Sequence, residues 1–187
     1  MKPYCLPPRR LFNWLRRFRK RCGYGIHSPH AFQLVTGVIY EGDSYYAYKE
    51  WPETAKNLSL REKDQKLLFR LANFSEAETA LALGAEAETV MALFKKARPR
   101  LTHSETPDLL YVGKDSLENF RMEDLLPHFH DKTLYILQGI HANSKNRAVW
   151  QRLIEDERVR QSFDLYDFGI VCFEQRLVKE DYTINYF

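Results

Sequence analysis

The rhythm that begins at Thr79 constrains the fold more than any other feature of the chain. Apolar runs of strand length alternate there with amphipathic helical stretches. Repeated strand–helix–strand order makes a parallel sheet with helices on both faces. Ala80-Leu81-Ala82-Leu83-Gly84 reads as a first strand and its turn, residues 86–97 as a helix, and Asp108-Leu109-Leu110-Tyr111-Val112 as the next strand. Only residues 98–107 separate that helix from that strand. A further strand–helix–strand unit needs roughly 30 residues, so the interval has no room for one. Arg100-Leu101-Thr102-His103 supplies one short strand at most, which leaves strand 79–83 at or near the sheet edge. Exposed apolar edges invite uncontrolled pairing. The N-terminal helices, a second copy of the chain or another protein partner are therefore expected to cover it.

The pattern continues with a helix over residues 116–129, interrupted near Pro127, and a buried strand at Thr133-Leu134-Tyr135-Ile136-Leu137. Asn143 or Ser144 then caps a helix that buries Ala148, Val149, Leu153 and Ile154. No helix separates the apolar segments 163–166, 169–173 and 182–187, so these are expected to pair antiparallel, the last carrying the C-terminus into the sheet. Upstream, Ser28-Pro29 carries the start signals of a helix that turns Phe32, Val35, Val38 and Ile39 inward. Ser59 and Glu62 form a capping box for a helix with Leu60, Leu67, Leu68, Leu71 and Phe74 on its apolar face. An apolar content of 44% in 187 residues supports one core domain plus an appendage. The division falls between a basic helical extension, residues 1–58, and an α/β domain, residues 59–187.

Charge divides the chain unevenly. Residues 1–30 hold eight basic groups (Lys2, Arg9, Arg10, Arg16, Arg17, Arg19, Lys20 and Arg21) and no acidic one, leaving 20 basic against 25 acidic groups in the remainder. Residues 9–22 fit a helix whose stripe is Leu11, Trp14, Leu15, Phe18 and Cys22. The simplest expectation is that this stripe docks on the acidic body while arginine stems cover its edges. The alternative is a surface for nucleic acid or an anionic membrane. There is no leader pattern and no run of eighteen apolar residues. The three cysteines, Cys5, Cys22 and Cys172, lie far apart outside any paired motif, as expected of reduced thiols in a cytoplasm.

Gly25-Ile26-His27-Ser28-Pro29-His30-Ala31-Phe32, Val38-Ile39-Tyr40 and Tyr45-Tyr46-Ala47-Tyr48 together resemble the N-terminal signature of a bacterial group of class I S-adenosylmethionine-dependent methyltransferases. Leu67-Leu68-Phe69-Arg70-Leu71, Ile140-His141 and Phe168-Gly169-Ile170-Val171 are also similar to that group. The resemblance implies a Rossmann-like methyltransferase sheet, here truncated, and a cofactor turn at Leu83 and Gly84 with Gly113 on the neighbouring strand end. It also implies departures there. Ala82 stands where the group has an acid that fixes the methionine moiety, and Ala85-Glu86-Ala87-Glu88 replaces a glycine-containing turn. Val112-Gly113-Lys114 and Gln138-Gly139 stand where acids serve a metal or the substrate.

Glu86 and Glu88 fall where a helix begins, and there they complement its dipole. Neither the His27/His30 pair nor the His128/His130 pair has the partners of a metal site, so no metal is expected. His27 is expected to anchor the turn at residues 25–29. His141 lies at the mouth of the implied site, as a general base in an active protein or as a loop-positioning group in an inactive one. No nucleophile elbow or phosphate-binding loop is present.

The expectation is a degenerate methyltransferase-like protein with no bound cofactor, acting through protein binding. The alternative is an active enzyme that uses S-adenosylmethionine in a rebuilt pocket, with substrate against His141, Tyr45, Tyr46 and Tyr48. In a third reading the helix carrying Arg9, Arg10, Arg16, Arg17, Arg19, Lys20 and Arg21 does the work on a polyanion. His27 and the three tyrosines are the candidate substrate or partner surface.

Overall fold

Alternation along each strand sorts side chains onto two faces, and each face has its own helices. In the computed structural model, which describes residues 8–20, 23–42, 45–50, 60–121, 123 and 130–187, the chain opens with α1 (Pro8–Arg16). Helix α2 (Pro29–Leu34) runs directly into a wider π-turn over Val35–Ile39, and a 3-10 turn covers Tyr46–Glu50. Then come α3 (Glu62–Phe74), β1 (Thr79–Leu83), α4 (Ala87–Ala97), β2 (Thr102–His103), β3 (Leu109–Val112) and a short α5 (Lys114–Leu117). The chain finishes with β4 (Leu134–Gln138), α6 (Ser144–Glu155), β5 (Gln161–Asp164), β6 (Phe168–Cys172) and β7 (Glu180–Thr183). Half of the segment expected as a helix at 116–129 lies outside the described residues; in the rest, α5 ends at Leu117 and residues 118–121 are not helical. No helix among those described is long and apolar enough to cross a membrane.

The strands form one sheet in the order β2-β1-β3-β4-β6-β5-β7. Strand β6 runs antiparallel to β4 and β5, and the other pairs are parallel. The expected antiparallel pairing thus resides in β6, whereas β7 pairs parallel to β5, with Gln161 opposite Glu180. Geometry explains the difference. Strand β6 ends opposite Gln161, where β5 begins, so a strand entering from that end must run with β5. The chain then leaves the sheet: Tyr186 is buried and its hydroxyl donates to the Lys63 carbonyl at 2.8 Å.

Strand β1 is not the edge. Thr79 and Ala80 pair with β2, and the Ser104 amide adds a bond to the Ala80 carbonyl at 3.3 Å. The one short strand expected from residues 100–103 is therefore present, two residues long. At the same N-terminal end of β1, one Asp108 oxygen accepts from the Glu78 and Thr79 amides and from the Thr79 hydroxyl, at 2.8–3.0 Å.

Ala80, Leu109, Tyr111, Ile136 and Ile170 face α2, α3 and α4, sharing one cluster with Ala31, Leu34, Leu67, Leu71 and Phe94. Residues 29–39 and the α/β domain therefore share a single core. On the other face Leu81, Leu110, Tyr135, Leu137 and Val171 meet Leu117, Trp150 and Leu153. Two expected helix faces hold except at one residue each: Val35, Val38, Ile39 and Leu153 are buried, and Val149 and Ile154 pack against the core. Phe32 is exposed while Ala31 and Leu34 are buried, because the π-turn resets the helical phase. In α6 the inward stripe is Asn146, Trp150 and Leu153, with Ala148 exposed. Trp150 sets that stripe because its ring lies directly on Gly169, where a Cβ would overlap it.

Caps follow sequence chemistry at two of three helices. The Ser28 hydroxyl accepts from the Ala31 amide at 3.4 Å, and the Asn143 side chain from the Asn146 amide at 2.8 Å. Helix α3 differs. It starts at Glu62 with Arg61 as N-cap and no side-chain cap bond, and Ser59 lies outside the described residues. The Arg61 guanidinium instead holds Asp64 through bonds of 2.7 and 3.0 Å.

Candidate functional site

Open α/β sheets bind ligands beyond the carboxyl ends of their strands, where strand order reverses. From β1 the chain places β2 on one side and β3 on the other, so the crevice lies between the ends of β1 and β3. Leu83 and Gly84 are on one lip and Gly113 is on the other. The chain's own groups meet across these strand ends. The Gly113 amide donates to the Leu83 carbonyl at 2.7 Å, and an Asp115 oxygen accepts from the Ala85 amide at 3.0 Å. A Cβ on Gly84 would lie 3.0 Å from Asp115 and 3.1 Å from the Gly113 Cα. Gly84 also has φ +117°, which L side chains rarely adopt, so glycine is required twice over. Glu86 is the N-cap of α4, without a side-chain cap bond, and Glu88 lies in its first turn.

One strand further along, Gln138 ends β4. Its side-chain Oε1 accepts from the Tyr111 hydroxyl at 2.9 Å and from the Lys114 amide at 3.1 Å, tying β3 to β4. Among the described residues no group of three or more His, Cys, Asp or Glu side chains is placed to hold a metal ion. Beyond Gln138 opens a cavity of about 380 Å³, bounded by Arg61, Asp64, Lys114, Gln138, His141 and Tyr166 among others. Arg61 spans part of its wall, bonding Asp167 at 2.7 Å in addition to Asp64. The cavity wall is about half apolar, with Leu60 and Phe168, and bears both signs of charge.

His141 is held firmly there. Its Nε2 lies 2.8 Å from an Asp164 oxygen, and its ring stacks on Tyr166 at 5.4 Å between centroids. Asp164 is the hub. It accepts two bonds of 2.9 Å from Arg17 and one of 2.8 Å from the Tyr166 amide. Burial by itself would raise the Asp164 pKa, but hydrogen bonds and charge from His141 and Arg17 outweigh it and hold the group at about 2.

Arg17 brings the N-terminal segment to this site and reverses the expected orientation of its helix. Asn13 and Arg17 form the docked face, with Asn13 donating to the Tyr166 hydroxyl at 3.3 Å and the Arg17 guanidinium lying over the Tyr166 ring. Leu11, Leu15 and Phe18 of the apolar stripe, together with Phe12, are exposed. The reason is the acidic hub: a buried carboxylate at the dock recruits a guanidinium more strongly than it recruits leucine.

The other candidates are scattered. His27, expected to anchor the turn at residues 25–29, is exposed; His30 does so instead, with Nδ1 2.8 Å from Gln161 Oε1 while Gln161 donates to Ser28 at 2.9 Å. Tyr45 and Tyr48 pack edge-on against Phe69, away from the residues lining the His141 cavity, and Tyr46 is exposed. Arg16, Arg19 and Lys20 are exposed. Arg9 and Arg10 belong to α1, and Arg21 lies outside the described residues. Sequence reasoning missed three acids. Asp115 and Asp164 follow or end strands without any local motif. Glu105, just beyond β2, lies about 20 residues after Gly84, the spacing at which dinucleotide folds place an acid for a ribose.

No protein-family model and no curated protein sequence matches the chain. Solved structures do. The O-methyltransferase TomG from Streptomyces achromogenes, involved in tomaymycin synthesis and solved with SAM, superposes with a TM-score of 0.50 at 11% identity, over 70% of this chain and 91% of that one. The SAH-bound methyltransferase PaMTH1 of Podospora anserina gives 0.48 at 10% identity, over 78% and 96%. Cofactor-bound Rv0187 from MTB gives 0.44 at 12% identity, over 91% and 100%. With its strand order and reversed β6, the chain has the Rossmann-like fold of class I methyltransferases.

Proposed function

We propose that this protein keeps a methyltransferase fold but works by binding other molecules and does not transfer methyl groups. The closure at the switch point carries the reading. S-adenosylmethionine, the cofactor implied by the fold, does not suit the residues there. Asp115 occupies the Ala85 amide that would otherwise meet a ligand carboxylate, and Gly84 packs on Gly113. Glu86 and Glu88 add negative charge at the helix start, where an anionic group would otherwise be welcome. Leu83, Gly84 and Gly113 are then vestiges of a cofactor turn.

Protein binding has a place in this reading. Strand β2 reaches only Thr79 and Ala80, so the carboxyl half of β1 offers backbone to a strand from a second copy or another protein. His27, Tyr45 and Tyr46 add exposed surface. A reduced, cytoplasmic setting belongs to the same reading, with Cys172 a buried free thiol.

One observation favours the active alternative: Glu105 stands where an acid would hold a ribose. In that case His141, poised over the cavity by Asp164, is the candidate base. Incubation with S-adenosylmethionine labelled on its methyl group, in a cell extract supplying acceptors, separates the two. The expected result is no label beyond the protein-free control. Label transferred by the natural sequence and lost in His141→Ala would establish the enzyme instead.

A further inference from the structure

We propose that α1 seats the protein on an anionic lipid surface. The inference comes from which face of α1 the dock consumes. Arg17 and Asn13, one helical turn apart, are engaged with Asp164 and Tyr166. The Asn185 amide adds a bond to the Lys20 carbonyl at 2.9 Å. This polar attachment fixes the segment to the body and leaves its apolar residues outward. Leu11 is 46% exposed, Phe12 64%, Leu15 58% and Phe18 49%. Trp14 is half-buried beside them and meets Phe18 edge-on at 5.2 Å between ring centroids. Arg16, Arg19 and Lys20 are exposed on the same segment.

Aliphatic and aromatic side chains flanked by basic ones are what a helix lying in a membrane interface presents. Residues 1–30 contain no acid, so every charged side chain this segment brings to the face is basic. The body carries the excess of acidic groups and is pushed away from an anionic surface, which orients the molecule with α1 against it. Charge also argues against a second copy as the occupant, because a two-fold contact through this face would set arginines against arginines. Nucleic acid would satisfy the basic groups but leave four apolar side chains in water.

The test is sedimentation of the full chain with vesicles of phosphatidylcholine mixed with phosphatidylglycerol, against phosphatidylcholine alone, at low salt. Tryptophan emission, to which Trp14 contributes beside Trp51 and Trp150, serves as a second readout. Binding to the anionic vesicles alone, with a blue shift, is expected. The triple variant Arg16→Gln/Arg19→Gln/Lys20→Gln should bind about 100-fold more weakly, near fivefold for each charge. Phe12→Ser/Leu15→Ser should lose at least about tenfold through apolar burial. Both variants leave Asn13 and Arg17 in place, and an unchanged melting temperature checks that the fold persists. Three results would overturn the proposal: no binding to anionic vesicles, binding indifferent to Phe12→Ser/Leu15→Ser, or an acidic protein or duplex DNA that displaces the vesicles and binds both variants as the parent does.

Discussion

Replacing Asp164 with alanine is expected to cost about 3–5 kcal/mol and to lower the melting temperature by roughly 10 °C. The carboxylate collects bonds from Arg17, His141 and the Tyr166 amide, and its side chain is only 17% exposed. Its removal strands the Arg17 guanidinium, itself 10% exposed, beside the carbonyls of residues 164 and 184. Helix α1 should then detach, and trypsin should cut at Arg16 and Arg17 well before the body unfolds. Asp164→Asn, which keeps an acceptor for Arg17, should cost less. A loss below about 1 kcal/mol for Asp164→Ala would mean that the dock is an exposed pair of little consequence.

The same carboxylate sets an acid dependence. Its pKa in the folded protein, about 2, lies below the value near 3.9 of a free aspartate. A depressed folded value stabilises fully above the unfolded value and is lost as pH falls through the folded one. Wild type should therefore lose roughly 2 kcal/mol between about pH 5 and pH 2 that Asp164→Asn does not lose. Chemical denaturation at stepped pH measures the difference.

Trp150→Ala is expected to cost about 3–5 kcal/mol. The indole is 1% exposed and holds α6 against β4 and β6. Gly169 has no side chain because that ring occupies the space. Gly169→Ala alone should cost about 1–3 kcal/mol through overpacking. In the Trp150→Ala background the added methyl enters a cavity, so Gly169→Ala should be close to neutral or stabilising there. Strictly additive costs in the double variant would show that ring and glycine are not coupled.

How much of this was legible from residues alone follows the range of each interaction. Strands β1, β3 and β4 were readable because apolar runs of strand length need no distant information. The Ser28 and Asn143 caps are equally local. The direction of β7 depends on where β6 ends, which no window of sequence contains. The orientation of α1 depends on a bond between residues 147 apart, and Arg17 looks like its neighbours until Asp164 is placed beside it. A hydrophobic stripe was a fair guide to amphipathicity but not to which face would be buried. The short interval at residues 98–107 limited the sheet as expected while still yielding β2. Asp115 escaped notice because its bond to the Ala85 amide is visible only once β1 and β3 lie side by side.

A calorimetric titration of S-adenosylhomocysteine into the purified chain tests the closed switch point most directly. With Asp115 on the Ala85 amide and Gly84 packed on Gly113, no saturable heat should appear at micromolar ligand. A stoichiometric isotherm with a micromolar or tighter Kd would contradict the account and return the chain to the enzymes whose fold it shares.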